Sequence, residues 1–299
     1  MRSVINILSF KTFIFTSLSL IAFAANSVLC RLALGEQSID PASFTFVRLL
    51  SAILMLLVLI SVAKYAKRNN TLLVKQKSKG SWSASLLLFI YALCFSFAYV
   101  SLDTGSGALI LFAAVQITMI LKTIINGNKL HWAEWLGLGM AFTGFIYLVL
   151  PTVSTPSLYG FMLMTLAGIA WGIYTLNGRN SANALADTYY NFLRTAPLLL
   201  LLLLLNINQG YVTEVGVIYA VLSGAIASGL GYSLWYAALT GLGTTQAAVV
   251  QLLVPVIASL GGIVWVGENI EQRFIISSMM ILGGILLVLL ASYKPKIVK

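Results

Sequence analysis

Charge is scarce in this chain. Asp, Glu, Lys and Arg make up 9% of its 299 residues and 60% are hydrophobic, whereas soluble domains carry roughly 25% charge. That excludes an ordinary soluble domain. Histidine is represented by His131 alone, and no Asp or Glu falls in the interior of a long apolar run, away from its ends. Metal-dependent and acid–base enzymes gather such groups. A membrane-embedded transferase is therefore a distant alternative, and no cofactor or metal site is expected. Carboxylate proton relays are equally hard to build, with Asp103 and Glu268 at helix ends the nearest material. Cys30 and Cys94 lie in apolar runs and read as small core residues, not as a disulfide framework.

What the chain has instead is apolar runs. They fall at about 12–34, 42–63, 83–102, 104–121, 132–150, 158–178, 185–205, 214–238, 244–266 and 273–293, each near the ~20 residues a spanning helix needs. The expected fold is an all-α polytopic membrane protein of ten transmembrane helices. The first run follows Arg2 and Lys11 and contains Ala22-Phe23-Ala24, which imitates a signal peptide and its cleavage site. It continues apolar to Leu34, so it is expected to stay as the first span.

The net charge of +10 is distributed as a topology signal. With the N-terminus inside, the inner segments hold fourteen Lys and Arg, and the outer ones hold only Arg31 and Arg273. Both termini are then cytoplasmic. Nucleic acid is not an expected partner. The basic connection 64–81 suits anionic lipid headgroups, and Trp82, Trp132, Trp135 and Trp265 suit interfacial anchoring. The expected location is a bacterial cytoplasmic (inner) membrane. Oligomeric state is open, and a monomer is consistent with the sequence.

Two arginines, Arg48 and Arg194, are the formal charges inside long apolar runs. An arginine at a bilayer centre costs at least ~2.5–3.5 kcal/mol on insertion scales. Aligning them also aligns Leu20 with Leu166, Ala24 with Ala170, Phe46 with Phe192 and Leu54 with Leu200 without a gap. Residues 1–150 and 151–299 thus read as two repeats of five spans. An odd number makes them run in opposite directions, the layout of secondary transporters with a midplane site. Inversion puts the two arginines at opposite depths, where each can snorkel or bond carbonyls at a helix end. Gate-stabilising or structural roles are favoured over joint solute contact.

The second half carries Gln251-Leu252-Leu253-Val254-Pro255-Val256, then Val266-Gly267-Glu268, then Leu282-Gly283-Gly284-Ile285. This resembles the EamA-type repeat of the drug/metabolite transporter superfamily. The resemblance implies ten helices in two inverted repeats and a solute carrier without enzymatic activity, mostly exporting in bacteria. The first half departs from it, since Ile117-Thr118-Met119 lacks the proline and Gly127-Asn128-Lys129 lacks the glutamate.

A polar solute needs polar groups facing a shared cavity. The candidates are Asn26, Tyr99, Gln116, Trp171, Tyr174, Asn177 and Gln251, the last on a stripe with Thr244, Ala248 and Pro255. Gate or structural candidates are Arg48, Arg194, Pro255 and Glu268. Pro255 frees a carbonyl in the preceding turn and can bend its helix. Ser223 to Gly231, rich in Gly and Ser, suits close packing. The expected function is alternating-access transport of small organic metabolites, amino acids first and outward. A drug or quaternary-cation exporter is the alternative, although no acidic cavity residue speaks for it.

Overall fold

The computed structural model describes residues 10–67, 80–125, 127, 131–149, 157–178, 181, 183–208, 210–239, 241–242, 247 and 250–291. Most of the basic connection expected to meet lipid lies outside the described residues, as do Thr244, Ala248, Arg2, Asn128, Lys129, Arg179 and the last lysines. The chain forms helices α1 (Phe10–Gly35), α2 (Pro41–Lys67), α3 (Trp82–Tyr99), α4 (Thr104–Ile125), α5 (Trp132–Val149) and α6 (Leu158–Gly178). Then come α7 (Ala184–Leu193), α8 (Ala196–Asn206), α9 (Glu214–Val221), α10 (Gly231–Leu239), α11 (Leu253–Gly261) and α12 (Gln272–Ala291). A π-helical stretch, Leu222–Leu230, joins α9 to α10, and another, Gly262–Val266, completes α11. Among the described residues β structure is limited to one bridge, Ile39 with Val212.

Among the described residues, eight helical segments are long and apolar enough to cross a membrane, and Leu253–Val266 is a shorter apolar helix. The seventh expected span differs from its reading as one continuous helix. It breaks at Arg194-Thr195, ahead of Pro197 in the first turn of α8, where the ring denies an amide to the preceding turn. The fourth runs past its expected end through Lys122 to Ile125. Starts are set by side chains. Ser81, Asn183 and Thr213 accept amides of the first turns of α3, α7 and α9. Asp40 caps α2 ahead of Pro41, accepting from the amides of Ala42 and Ser43 at 3.1 and 2.9 Å.

Packing is reciprocal between the halves. Helix α1 lies against α10 and α11, and α6 lies against their counterparts α3 and α4. The most extensive contact is α5 on α12. There Gly137 and Gly284 meet backbone to backbone: a Cβ on either would come within 2.5 Å of the other's carbonyl oxygen. With nothing but hydrogen between them, the helices gain dispersion contact that larger residues would forfeit. Outward, α8 presents Leu200, Leu201, Leu203, Leu204 and Leu205 exposed, as a lipid-facing helix does.

Because each long helix carries the chain from one face to the other, Arg31, Asp40, Asp103, Tyr211 and Glu268 gather at one face. Gly80, Trp82, Asp187 and Arg194 gather toward the opposite one. Contacts within each group, given below, agree with this path.

Candidate functional site

Between the halves lies a cavity walled by Phe23, Asn26 and Ser27 of α1, Tyr91 and Phe95 of α3, Leu111 and Phe112 of α4, Trp171 of α6 and Tyr232 of α10. Counting residues from the nearest span ends, these side chains sit roughly 10–18 Å deep at 1.5 Å per residue, except Phe95 at about 6 Å. Trp171 is the centre of the wall. Its ring lies 4.8 Å from Tyr91, 4.8 Å from Tyr232 and 5.3 Å from Tyr174, stacked at 27° on the last. Phe23 packs at 5.8 Å from both Tyr232 and Trp235. The space open to water-sized groups is about 20 Å³, close to the minimum for one water. This is a closed conformation, and any organic solute must spread the rings to enter.

Arg48 stands behind this wall, 1% exposed. Its Nη2 donates to the Tyr91 hydroxyl at 3.1 Å, and its guanidinium carbon lies 4.6 Å over the Phe95 ring and 5.4 Å over that of Tyr91. It does not snorkel to a face and meets no helix end; aromatic rings shelter it instead. Nε and Nη1 have no hydrogen-bond partner. The π-helical stretch presses on the same turn of α2, so that a Cβ on Gly224 would fall 2.0 Å from the Arg48 carbonyl oxygen. Next to it Ser223 donates to Asn26 Oδ1 at 2.6 Å, tying the cavity wall of one half to the other. A π turn widens the helix and rotates the turns after it. Here it sets Tyr232 against Trp171.

Of the other sequence candidates, Asn26 and Trp171 line the cavity, and Tyr174 backs it, its hydroxyl accepting from Asn191 Nδ2 at 3.5 Å. Tyr99 is fully buried near one face, where its hydroxyl donates to the Thr104 carbonyl at 3.3 Å. Gln116 and Gln251 are buried, outside the cavity wall. Asn177 is exposed at the end of α6 and is not brought to the site. Pro255 is buried, its carbonyl accepting from Ser259 Oγ at 2.7 Å, and a turn at Leu252 separates α11 from the helical Val250 and Gln251 before it. The cavity residues that sequence reasoning missed are Phe23, Ser27, Tyr91, Phe95, Leu111 and Phe112.

Each face is closed by a carboxylate from one half holding the backbone of the other. At the first face, Asp40 accepts from the Tyr211 amide at 3.0 Å and from Asn206 Nδ2 at 2.8 Å, while the Asp40 amide donates to the Tyr211 carbonyl. At the opposite face, Asp187 accepts from the Gly80 amide at 2.7 Å, and Asn191 Oδ1 accepts from the Ser81 amide at 2.8 Å. Arg194 lies half-buried beside them, 5.8 Å over Trp82. The first face carries a second tie. Glu268 accepts from the Thr104 amide and hydroxyl at 2.8 and 2.9 Å, and Arg31 lies 3.4 Å from Glu268 and 3.5 Å from Asp103. Burial holds the Glu268 carboxyl above the ordinary range; the Thr104 bonds and Arg31 oppose the shift without cancelling it.

Two stretches, residues 10–150 and 158–290, match the model of the EamA-like transporter family. An uncharacterized protein of Pseudomonas aeruginosa is 46% identical over 93% of this chain and 94% of its own length. A protein of Salmonella typhimurium named a probable amino-acid metabolite efflux pump is 26% identical over 65% of this chain and 70% of its own. A solved crystal structure, 17% identical with a TM-score of 0.57, covers 92% of this chain and 97% of its own, which speaks to the fold alone.

Proposed function

Because the chain belongs to the EamA-like transporter family, we propose that it moves small organic metabolites, amino acids first among them, outward across a bacterial inner membrane by alternating access. On this reading it crosses ten times with both termini cytoplasmic. Residues 1–150 and 151–299 form inverted repeats, and the solute sits between them among Asn26, Trp171 and the rings of Tyr91 and Tyr232. Gln116, Gln251, Tyr99 and Tyr174 serve as its surroundings, with Arg194, Pro255 and Glu268 stabilising the gates. Membership of a transporter family sets the transferase alternative aside.

The observation that carries the reading is the closed central cavity with a carboxylate tie at each face, made reciprocally by the two halves. Releasing one tie while keeping the other opens the cavity to one side at a time, which is what alternating access requires. Support for amino-acid export comes from the name of the Salmonella relative.

Purified protein in liposomes, tested with and without a pH gradient, should speed the movement of at least one labelled amino acid or related metabolite. No acceleration across a broad panel, with correctly oriented protein, would sink the solute reading. One observation favours the second reading, a quaternary-cation exporter: the Tyr91, Trp171, Tyr174 and Tyr232 rings form a cluster that attracts cations. Arg48 beside them carries the same charge and opposes it.

A further inference from the structure

Arg48 has a charge and no counter-charge. Every Asp and Glu of the chain is described, and all eight (Glu36, Asp40, Asp103, Glu134, Asp187, Glu214, Glu268 and Glu271) sit at helix ends or in connections. Among the described residues, ion pairs are made by Arg31 and none by Arg48. The groups facing the guanidinium are the Tyr91 and Tyr232 hydroxyls and the Cys30 thiol, with no carboxylate among them. A guanidinium is kept charged inside a protein and offers five donors in a planar fork. Here Nη2 is used on Tyr91, while Nε and Nη1 are buried without partners. Buried unsatisfied donors of a charged group are costly unless something arrives to take them. Tyr91 and Phe95, the rings that cover the guanidinium, are also walls of the cavity. The rings a solute must displace are therefore the rings that hide the charge.

We propose that the solute is an organic anion with an apolar or aromatic body and no ammonium group. Its carboxylate would take Nη2 from the Tyr91 hydroxyl and grip a neighbouring, unpartnered donor of Arg48 in the same bidentate pair. Its body would lie between Phe23, Trp171 and Tyr232. The inference rests on the carrier reading above and revises its first guess of amino acids: a carboxylate is favoured over the zwitterion of the same shape, and over the cation. Among the cavity-lining residues the polar groups are Asn26, Ser27, the Trp171 indole N–H and the Tyr91 and Tyr232 hydroxyls, with no carboxylate to receive an ammonium.

A matched set decides it. Full-length protein in nanodiscs at pH 7 is titrated with 3-phenylpropionate, 3-phenylpropanamide, 3-phenylpropylamine and phenylalanine, and binding is read by thermal shift and tryptophan fluorescence. The anion is expected to bind about tenfold or more tightly than the amide, as a charge-assisted bidentate pair should. Arg48→Gln is expected to erase that margin and Arg48→Lys to keep part of it. Amide or amine binding as tightly as the anion would overturn the proposal. So would no anion binding up to millimolar concentration, retention of the margin in Arg48→Gln, or equal protection by chloride or phosphate alone. The wild-type ranking decides even if a variant fails to fold. Anion binding without flux in liposomes upholds the site and sinks the carrier reading. Flux with the amine or amide preferred keeps the carrier reading and sinks the site.

Discussion

Arg48 and Arg194 hold corresponding places in the two halves of the sequence, 194 − 48 = 146 residues apart, and they are housed in opposite ways. Arg48 lies in the middle of an unbroken helix, fully buried under two aromatic rings. Arg194 lies where its span breaks, at the C-terminal cap of α7, half-exposed and beside Trp82. A cation at a helix C-terminus is stabilised by the unsatisfied carbonyls there; mid-helix, Arg48 has no such carbonyls. Both arginines reach α3, one at its centre and one at its start, so the repeat supplies the positions but not matching partners. The same holds for the helices against α1 and α2. The π-helical Leu222–Leu230 has no counterpart in α3, which is regular throughout. The second half carries a π-helical stretch where the first keeps regular α-helix.

Exchanging each arginine for methionine tests that contrast most strongly. Arg48→Met is expected to lower liposome flux at least about tenfold. Its apparent unfolding temperature should hold or rise, since an apolar replacement of an uncompensated buried charge is often stabilising. Arg194→Met should lower flux less than about threefold and cost ~1 kcal/mol of stability from the lost helix-end and Trp82 contacts. Equal effects would break the comparison. Next in size is Gly224→Val, which drives a side chain into the Arg48 backbone. It should cut the yield of folded protein severalfold, as overpacking by ~1–3 kcal/mol or more does. Gly229→Ala, facing the flexible Met55 side chain at 3.0 Å, should be nearly neutral. Size-exclusion profiles of tagged protein read both.

The face ties sharpen the comparison further. Asp40→Asn and Asp187→Asn should shift accessibility in opposite directions, each by about fivefold for ~1 kcal/mol of lost bonding. The rate at which a membrane-impermeant thiol reagent labels cysteines introduced at each face would show it. Glu268 gives a smaller, pH-dependent effect. Its carboxyl is raised while the first face is closed and returns to the ordinary range once that face opens. The closed form therefore holds the proton more tightly. Acidification through the window between the ordinary and the raised value favours closure, and rising pH favours opening. Relative to a free thiol under the same conditions, labelling at Ser106→Cys should slow on acidification, and Glu268→Gln should flatten that dependence. Least of all, Asn177→Ala should leave flux within about twofold of wild type, because Asn177 faces outward.

Much of the fold was legible because bilayer physics writes itself into composition: a span cannot be built without an apolar run. The break at Arg194 was harder to see, since Pro197 follows it in an otherwise continuous leucine run. The site was legible in its polar members and in Trp171 and Tyr174. Asn26 and Arg48 stand out because polar groups in apolar runs are expensive. Tyr91 and Phe95, four apart on an apolar helix, look like ordinary packing until the register against Arg48 is known. Asp40 did carry a signal, an acid before Pro41 at a helix start. Its bonds to Tyr211 and Asn206 span more than 160 residues and leave no mark in the local sequence.

The glycine crossing of α5 and α12 bears on how the protein is made. Helix α12 begins 272 − 132 = 140 residues after α5 begins. At ~5–20 residues per second, ribosomal synthesis leaves that interval open for roughly 10–30 s. Throughout it the small-residue seam of α5 is without its mate, and α1 likewise waits for α10 and α11. The nascent first half is thus an unfinished surface, attractive to chaperoning helices and to other copies of itself. Its closure is a late event of biosynthesis, dependent on a segment near the end of the described chain.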